Sequence, residues 1–178
     1  MKTLKDILSY PLTNKEPNEI VIYLGNDIDT NIFTTDIDSN TYTKINEDYI
    51  FLSNQQINQD EYYFKNLCYN INHLDNSKNV IKTKMYNYEK IGLNDNIDLF
   101  IQFNNKSIVN GLEFPCKYEY HNNKKETGIS FNINDKIKIE FTIDSEENKY
   151  ISIIAKIDAY IDNTIDTLLE TLKNISNS

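Results

Sequence analysis

The feature that most constrains the fold is a strict alternation of apolar and polar residues in KIKIEFTI (136–143). Successive side chains of a strand point to opposite faces, so this pattern predicts a sheet with one buried and one solvent-facing side. ISFNIN, directly before it, alternates in the same way, and Asn134-Asp135 suits a tight turn. The apolar face holds Ile137, Ile139, Phe141 and Ile143, and the polar face holds Lys136, Lys138, Glu140 and Thr142.

After residue 154 the spacing of apolar residues changes to steps of three and four. This stripe predicts a long amphipathic C-terminal helix, with the apolar side against the sheet. The stripe comprises Ile157, Ile161, Ile165, Leu168, Leu172 and Ile175. A similar spacing over 54–74, opened by Ser53 and Gln56 in the manner of a capping box, predicts a second helix.

These patterns together predict one α+β domain over residues 1–178. A chain of this length normally forms one domain, and no Gly- or Pro-rich linker divides it. EIVIYL (19–24) and IDLFIQF (97–103) are typical of further strands, and EFPCKYEY (113–120) of an edge strand. The expected architecture is an antiparallel meander packed against the long C-terminal helix.

The charge balance argues against nucleic acid as a partner. The net charge is −9, and all eighteen basic residues are Lys, since the chain has no Arg. Nucleic-acid backbones are bound by clustered cations, and Arg supplies the planar fork that grips phosphate. We therefore expect no direct nucleic-acid binding. The many Asn, Ile, Lys and Tyr residues are typical of a low-GC genome, such as that of a phage or virus.

The N-terminal segment and the cysteines suggest a location. No secretory signal is recognisable, and no run of apolar residues is long enough to span a membrane. Two cysteines allow one disulfide at most. These features predict a reduced, cytoplasmic setting in a bacterial or host cell. They do not indicate an oligomeric state.

Two groups of residues could hold a metal ion, although we expect no cofactor. Cys68, His73, Cys116 and His121 would complete a zinc site, but a five-residue step turns each pair apart on a helix or a strand. Asp36, Asp38, Asn40 and Glu47 match positions 1, 3, 5 and 12 of a calcium loop. The glycine required at position 6 is Thr41, so solvated strand ends are the competing interpretation.

No motif for nucleophilic catalysis or phosphate binding occurs in the chain. Tyrosines instead lie among acidic residues, and Tyr is enriched at the centres of protein interfaces. Acidic neighbours would steer a basic partner. The predicted partner-binding residues are Asp60, Glu61, Tyr62, Tyr63, Asp27 and Asp29.

The leading functional hypothesis is a non-catalytic acidic module that binds a basic protein, such as an immunity protein or a phage- or virus-encoded inhibitor of a nucleic-acid-binding factor. A first alternative is a small-ligand or lipid-binding protein, with an apolar cavity between the sheet and the C-terminal helix. A second alternative is a metal-dependent enzyme. Catalytic sites assembled from distant strands leave no local signature.

Overall fold

A computed structural model describes residues 2–25, 27–29, 34–64, 67–74, 80–109, 122–157 and 161–177. Within these ranges the chain forms ten strands and four helices. The strands are β1 (Glu19–Gly25), β2 (Asp27–Asp29), β3 (Thr34–Asp36), β4 (Asn54–Phe64), β5 (Leu67–Asn72), β6 (Val80–Gly92), β7 (Asp98–Val109), β8 (Asn122–Asn132), β9 (Ile137–Asp144) and β10 (Lys149–Lys156). The helices are α1 (Leu4–Leu8), α2 (Tyr10–Thr13), α3 (Ser39–Glu47) and α4 (Ile161–Ser176).

Eight strands close into an antiparallel barrel, while β2 and β3 form a separate two-stranded sheet. The order around the barrel is β1-β10-β9-β8-β4-β5-β6-β7, and β7 returns to β1. Closure depends on β1, which pairs with β10 on one side and with β7 on the other. Ile22, for example, lies opposite Ile153 and opposite Ile101.

The barrel buries its apolar residues on the outside. On β9, Ile137, Ile139 and Phe141 belong to the hydrophobic core, whereas Lys138 and Glu140 line a cavity inside the barrel. The same division holds on β1, β7 and β10. The face that the sequence predicts to be solvated is therefore the inner wall of the barrel.

The helices cover the apolar outer surface. Ile165, Leu168, Leu172 and Ile175 of α4 are buried in one cluster with outward-facing strand residues. Leu8 of α1 and Ile45 of α3 join the same cluster. Burying each such side chain stabilises the fold by about 1.5–3 kcal/mol. The helices thus supply the second layer of the hydrophobic core. Because this core lies outside the barrel, the residues that line the barrel interior can be polar.

The predicted fold class is wrong. The chain is not an α+β meander packed against one long helix, because its strands close into a barrel that also pairs residues distant in sequence. The C-terminal helix exists, but it is one of several helices that pack on the outer surface of that barrel.

The second helix predicted near 54–74 is also wrong. These residues form β4 and β5, which pair with each other and with β8 and β6. Tyr62, Tyr63 and Tyr69 have side chains that favour strands, and inter-strand pairing outweighed the helix-like spacing of the apolar residues.

None of the described helices combines the length and the apolar composition needed to cross a membrane.

Candidate active site inside the barrel

The interior of the barrel holds a cavity of about 550 Å³. That volume is in the range of small-molecule binding sites. Its wall comes from alternate residues of the barrel strands, because every second side chain of a strand points inward. Polar side chains from distant parts of the chain therefore converge there.

Among the described residues, the charged side chains of the cavity are four glutamates and three lysines. Each lysine contacts a glutamate: Lys106 Nζ lies 3.3 Å from Glu19 Oε2, Lys124 Nζ 3.4 Å from Glu126 Oε1, and Lys138 Nζ 3.3 Å from Glu140 Oε2. The fourth acid is Glu61. An anionic ligand inside the barrel would meet these three ammonium groups.

Lys106 is the centre of the charge cluster. Burial disfavours its ammonium, but Glu19, Glu140 and Glu61 together hold the pKa of Lys106 above its usual value. Lys106 therefore stays positively charged at neutral pH. It is a fixed cation among carboxylates that β1, β9 and β4 bring together.

Glu61 and Glu126 both line the cavity; Lys124 lies directly opposite Glu61 and Glu126 is two residues further along β8, so the two glutamates are diagonal neighbours on the inner wall. Burial, together with the charge of Glu61, raises the pKa of Glu126 well above its usual range. Burial would also raise the pKa of Glu61, but the hydrogen bond from Glu126, the Lys124 ammonium and the hydrogen bond from Tyr63 hold it below its usual value. The pKa values of the two carboxyls are therefore shifted in opposite directions.

Oxygen ligands for a hard cation occur where β1 and β7 pair. Glu19 lies directly opposite Asn104, and both line the cavity. Asn104 is only 2 % exposed, and its Oδ1 accepts no hydrogen bond. Within the described ranges no three His, Cys, Asp or Glu side chains converge on a metal-sized space. Mg²⁺ needs only one or two carboxylates when substrate phosphates and water complete its shell, so this donor set fits such an ion.

Aromatic and thiol groups of the cavity stay neutral. Burial raises the pKa values of Tyr23, Tyr63 and Cys68 well above their usual ranges. A buried, protonated thiol is a poor nucleophile and a poor metal ligand. Cys68 thus contributes packing to the wall of the cavity.

The predicted partner-binding residues are divided between the two faces of the barrel wall. Glu61 and Tyr63 line the cavity. Asp60 is buried, and its Oδ2 lies 2.6 Å from His73 Nε2. Asp27 and Asp29 belong to β2, and their side chains lie outside the described part of the chain. The four residues of this set whose side chains the structure describes, Asp60, Glu61, Tyr62 and Tyr63, alternate between the two faces of β4.

The predicted calcium-loop residues lie around α3. Asp38 caps the helix by accepting hydrogen bonds from the backbone N–H groups of Asn40 and Thr41. Asp36 is the last residue of β3, and Glu47 is the last residue of α3. Helix capping accounts for the acidic residue at position 38 without a cation. The calcium site stays a prediction. The zinc set also stays one, because Cys116 and His121 lie outside the described residues.

Apart from Glu61, which was predicted to bind a partner, sequence reasoning missed the charged residues of the cavity. Lys138 and Glu140 belong to the polar face of an alternating strand, and a polar face was read as a solvated one. Glu19 lies at the edge of EIVIYL, which resembles a buried strand. No local signal links these residues, because the distances between them are set by barrel closure.

No protein-family model matches the chain, and no curated protein matches its sequence. Solved structures do share the fold. The S. pombe Pct1 RNA triphosphatase, in a complex with the Spt5 CTD, aligns with a TM-score of 0.63 at 13% identity, over 97% of this chain and 86% of that one. The mimivirus capping enzyme triphosphatase aligns with a TM-score of 0.60 at 14% identity, over 97% and 95%.

A third structure with this fold is the PH1819 protein of Pyrococcus horikoshii OT3. It aligns with a TM-score of 0.54 at 13% identity, over 88% of this chain and 89% of that one. At these identities the comparisons establish the barrel fold.

The hypothesis of a non-catalytic acidic inhibitor or immunity protein is wrong, and the leaning towards a chain without enzymatic activity is contradicted as well, because the chain shares its fold with two RNA triphosphatases. Of the two alternatives, the metal-dependent enzyme is the better supported. The cavity lies inside the barrel and not between the sheet and the C-terminal helix.

Proposed function

We propose that the chain is a divalent-cation-dependent phosphohydrolase that removes the terminal phosphate of a triphosphate bound inside the barrel. The observation that carries this proposal is the interior cluster of three lysines and four glutamates in a closed barrel. The likeness to two RNA triphosphatases supports the choice of a triphosphate substrate.

The residues of the cavity divide into two roles. Lys106, Lys124 and Lys138 would bind phosphate oxygens, since ammonium groups are effective point charges for phosphate. Glu19 and Asn104 would hold the cation together with oxygens of the substrate. The bound cation would neutralise negative charge that develops on the phosphate oxygens.

The barrel wall would contribute positioning. The lysines extend from β7, β8 and β9; β8 and β9 pair directly, whereas β1 and β10 lie between β9 and β7. Rigid strands hold charged groups in place before the substrate arrives, and such pre-organisation is a major source of catalysis.

The test is phosphate release from inorganic triphosphate, a nucleoside triphosphate and a short RNA with a 5′-triphosphate. We expect release with Mg²⁺ or Mn²⁺ and none with a chelator. Lys106→Gln and Glu19→Gln should each lower kcat/KM by about 100-fold or more, as loss of a charge-stabilising group does.

Two substitutions on the exposed face of α4 serve as matched controls: Lys173→Gln and Glu170→Gln remove the same charges far from the cavity. Both should retain full activity. A folded wild-type protein that releases no phosphate from any of the three substrates with either cation would refute the proposal.

A further inference from the structure

The Glu61–Glu126 pair inside the barrel has a role that phosphate binding by lysines does not explain. Two ionised carboxylates in contact repel each other strongly, and such pairs commonly retain one proton. The hydrogen bonds around the pair identify the carboxyl that holds it.

Glu61 uses both oxygens as acceptors. Gln59 Nε2 donates to Oε1 at 2.9 Å, and the Tyr63 hydroxyl donates to Oε2. Hydrogen bonds donated to both oxygens favour the ionised form of a carboxyl group. Glu61 is therefore the carboxylate of the pair.

Glu126 has an unequal environment. Its Oε2 accepts a hydrogen bond from Thr142 Oγ1 at 2.7 Å, whereas Oε1 accepts none and only approaches Lys124 Nζ at 3.4 Å. The residue is 5 % exposed. A proton on Oε1 lets this atom donate to Glu61, which satisfies an oxygen that would otherwise be buried without a hydrogen bond.

We infer that Glu126 keeps this proton in the resting protein, and that the neutral carboxyl releases its hydrogen bond to Glu61 and donates instead to a phosphate group that enters the cavity. The donor role of Glu126 rests on the proposed function, and it adds a neutral hydrogen-bond donor to the charged lysines that would bind phosphate. An ionised Glu126 would repel the same phosphate. Ligand affinity should therefore depend on whether Glu126 is protonated.

Several other groups face Glu126 and enter the pH argument. Lys124 is the cation closest to it, and Glu61 is its proton-sharing partner. Asp144 lies opposite Glu126 in the β8–β9 register. The charge of Glu126 also acts on the ionisation of four groups from other strands, which are Tyr63, Cys68, Tyr23 and Tyr150.

The sign of the effect follows from the direction of the shift. The pKa of Glu126 is raised by burial and by Glu61, so the neutral donor persists to a higher pH than in an exposed glutamate. Above that pKa, Glu126 must take up a proton when the ligand binds, so the affinity falls by about tenfold per pH unit. Below it, affinity is constant apart from ionisation of the ligand itself.

The first arm of the experiment needs no ligand. Carbon-13 NMR titration of the glutamate carboxyl carbons, with Glu126→Gln and Glu61→Gln for assignment, should show one carboxyl that titrates well above pH 5. It should be absent from Glu126→Gln. If every glutamate titrates in its ordinary range, the inference is overturned.

The second arm measures binding of inorganic triphosphate, with Ca²⁺ as the added cation, by calorimetry between pH 5 and 9. Wild type should lose affinity as the pH rises through the value found by NMR. Glu126→Gln keeps a neutral donor at all pH values, so its affinity should stay close to the low-pH wild-type value. Its remaining slope reports ionisation of the ligand. Glu170→Gln should follow wild type.

Thr142→Val covers the case in which Glu126→Gln does not fold. It removes a hydrogen bond that favours the ionised carboxyl, so the loss of affinity should move to higher pH. If the affinity depends on pH in the same way in wild type, Glu126→Gln and Thr142→Val, the donor role is overturned. A raised carboxyl without any triphosphate binding would refute the proposed function and the donor role, while the shared proton would stand.

Discussion

At the scale of single residues, the cavity shows how burial and neighbouring charges together set the pKa of a side chain. Three glutamates from other strands hold the pKa of Lys106 above its usual value, although burial alone would lower it. Burial, together with the charge of Glu61, raises the pKa of Glu126. Burial and a neighbouring charge therefore favour the charged form of one group and the neutral form of another in the same cavity.

Asp144 gives a residue-scale prediction about stability. Its carboxylate accepts hydrogen bonds from the backbone N–H groups of Glu146 and Asn148 at 2.9 and 3.0 Å, and from the Tyr150 hydroxyl at 2.6 Å. Burial would raise the pKa of Asp144, but these hydrogen bonds hold it below its usual value. The carboxylate therefore stabilises the β9–β10 turn at neutral pH.

We expect Asp144→Asn to lower the free energy of unfolding by about 1–2 kcal/mol at pH 7. A lowered pKa contributes stability above the unfolded pKa and loses it as the pH falls, so the difference should shrink towards pH 3. Urea unfolding at both pH values measures this. A difference that is the same at pH 3 and pH 7 would mean that ionisation of Asp144 is not the cause.

At the scale of elements, strand pairing determines the secondary structure between residues 54 and 74. Each of β4 and β5 pairs with another strand on both sides in the closed barrel. A barrel leaves no open edge, so a segment with mixed local preferences is held as a strand. α3 shows the opposite case, since Asp38 provides a local start signal by accepting hydrogen bonds from the backbone of Asn40 and Thr41.

Gly128 on β8 gives an element-scale prediction. A Cβ at this position would lie 1.9 Å from the backbone oxygen of Phe141 on β9. Backbone cannot move away without opening the β8–β9 pairing. We expect Gly128→Ala to lower the free energy of unfolding by about 3 kcal/mol, the upper end of the usual cost of overpacking.

Gly92 on β6 is the matched control for that substitution. A Cβ there would meet only Asp98 Oδ1, at the ordinary contact distance of 3.6 Å. Gly92→Ala should change the free energy of unfolding by less than about 1 kcal/mol. Thermal or urea unfolding of both variants checks the pair, and an equally small effect at Gly128 would show that β8 and β9 are less close than described.

At the scale of the whole molecule, the polarity of the barrel and the net charge have to be considered together. The chain carries a net charge of −9 and no Arg, while its lysines at 106, 124 and 138 are directed into the cavity. The expected absence of direct nucleic-acid binding remains a prediction. It is compatible with the proposed function when only the triphosphate end enters the barrel.

This separation gives a whole-molecule prediction. The affinity for an RNA with a 5′-triphosphate should not rise with RNA length from a few nucleotides to about thirty, since an acidic exterior releases no counterions from the phosphate backbone. Competition against inorganic triphosphate at two salt concentrations measures this. Affinity that grows with length and falls steeply with salt would instead indicate a basic path on the exterior.

The sequence by itself determined which residues share a strand face. Alternation over 136–143 separates the core residues Ile137, Ile139 and Phe141 from Lys138 and Glu140, and the structure keeps that division. It also determined the apolar stripe that buries Leu168 and Leu172. Both are local consequences of side-chain period, which a short segment contains in full.

Only the tertiary structure decided which face is inside. A polar strand face is solvated in an open sheet and becomes the wall of a cavity in a closed barrel, and the local pattern is the same in both. Closure depends on the pairing of β1 with β7 and β10, whose residues lie up to 137 positions apart, as for Glu19 and Lys156. Hydrogen bonds at that separation have no periodic signature, so the convergence of the glutamates and lysines could not be predicted from the sequence.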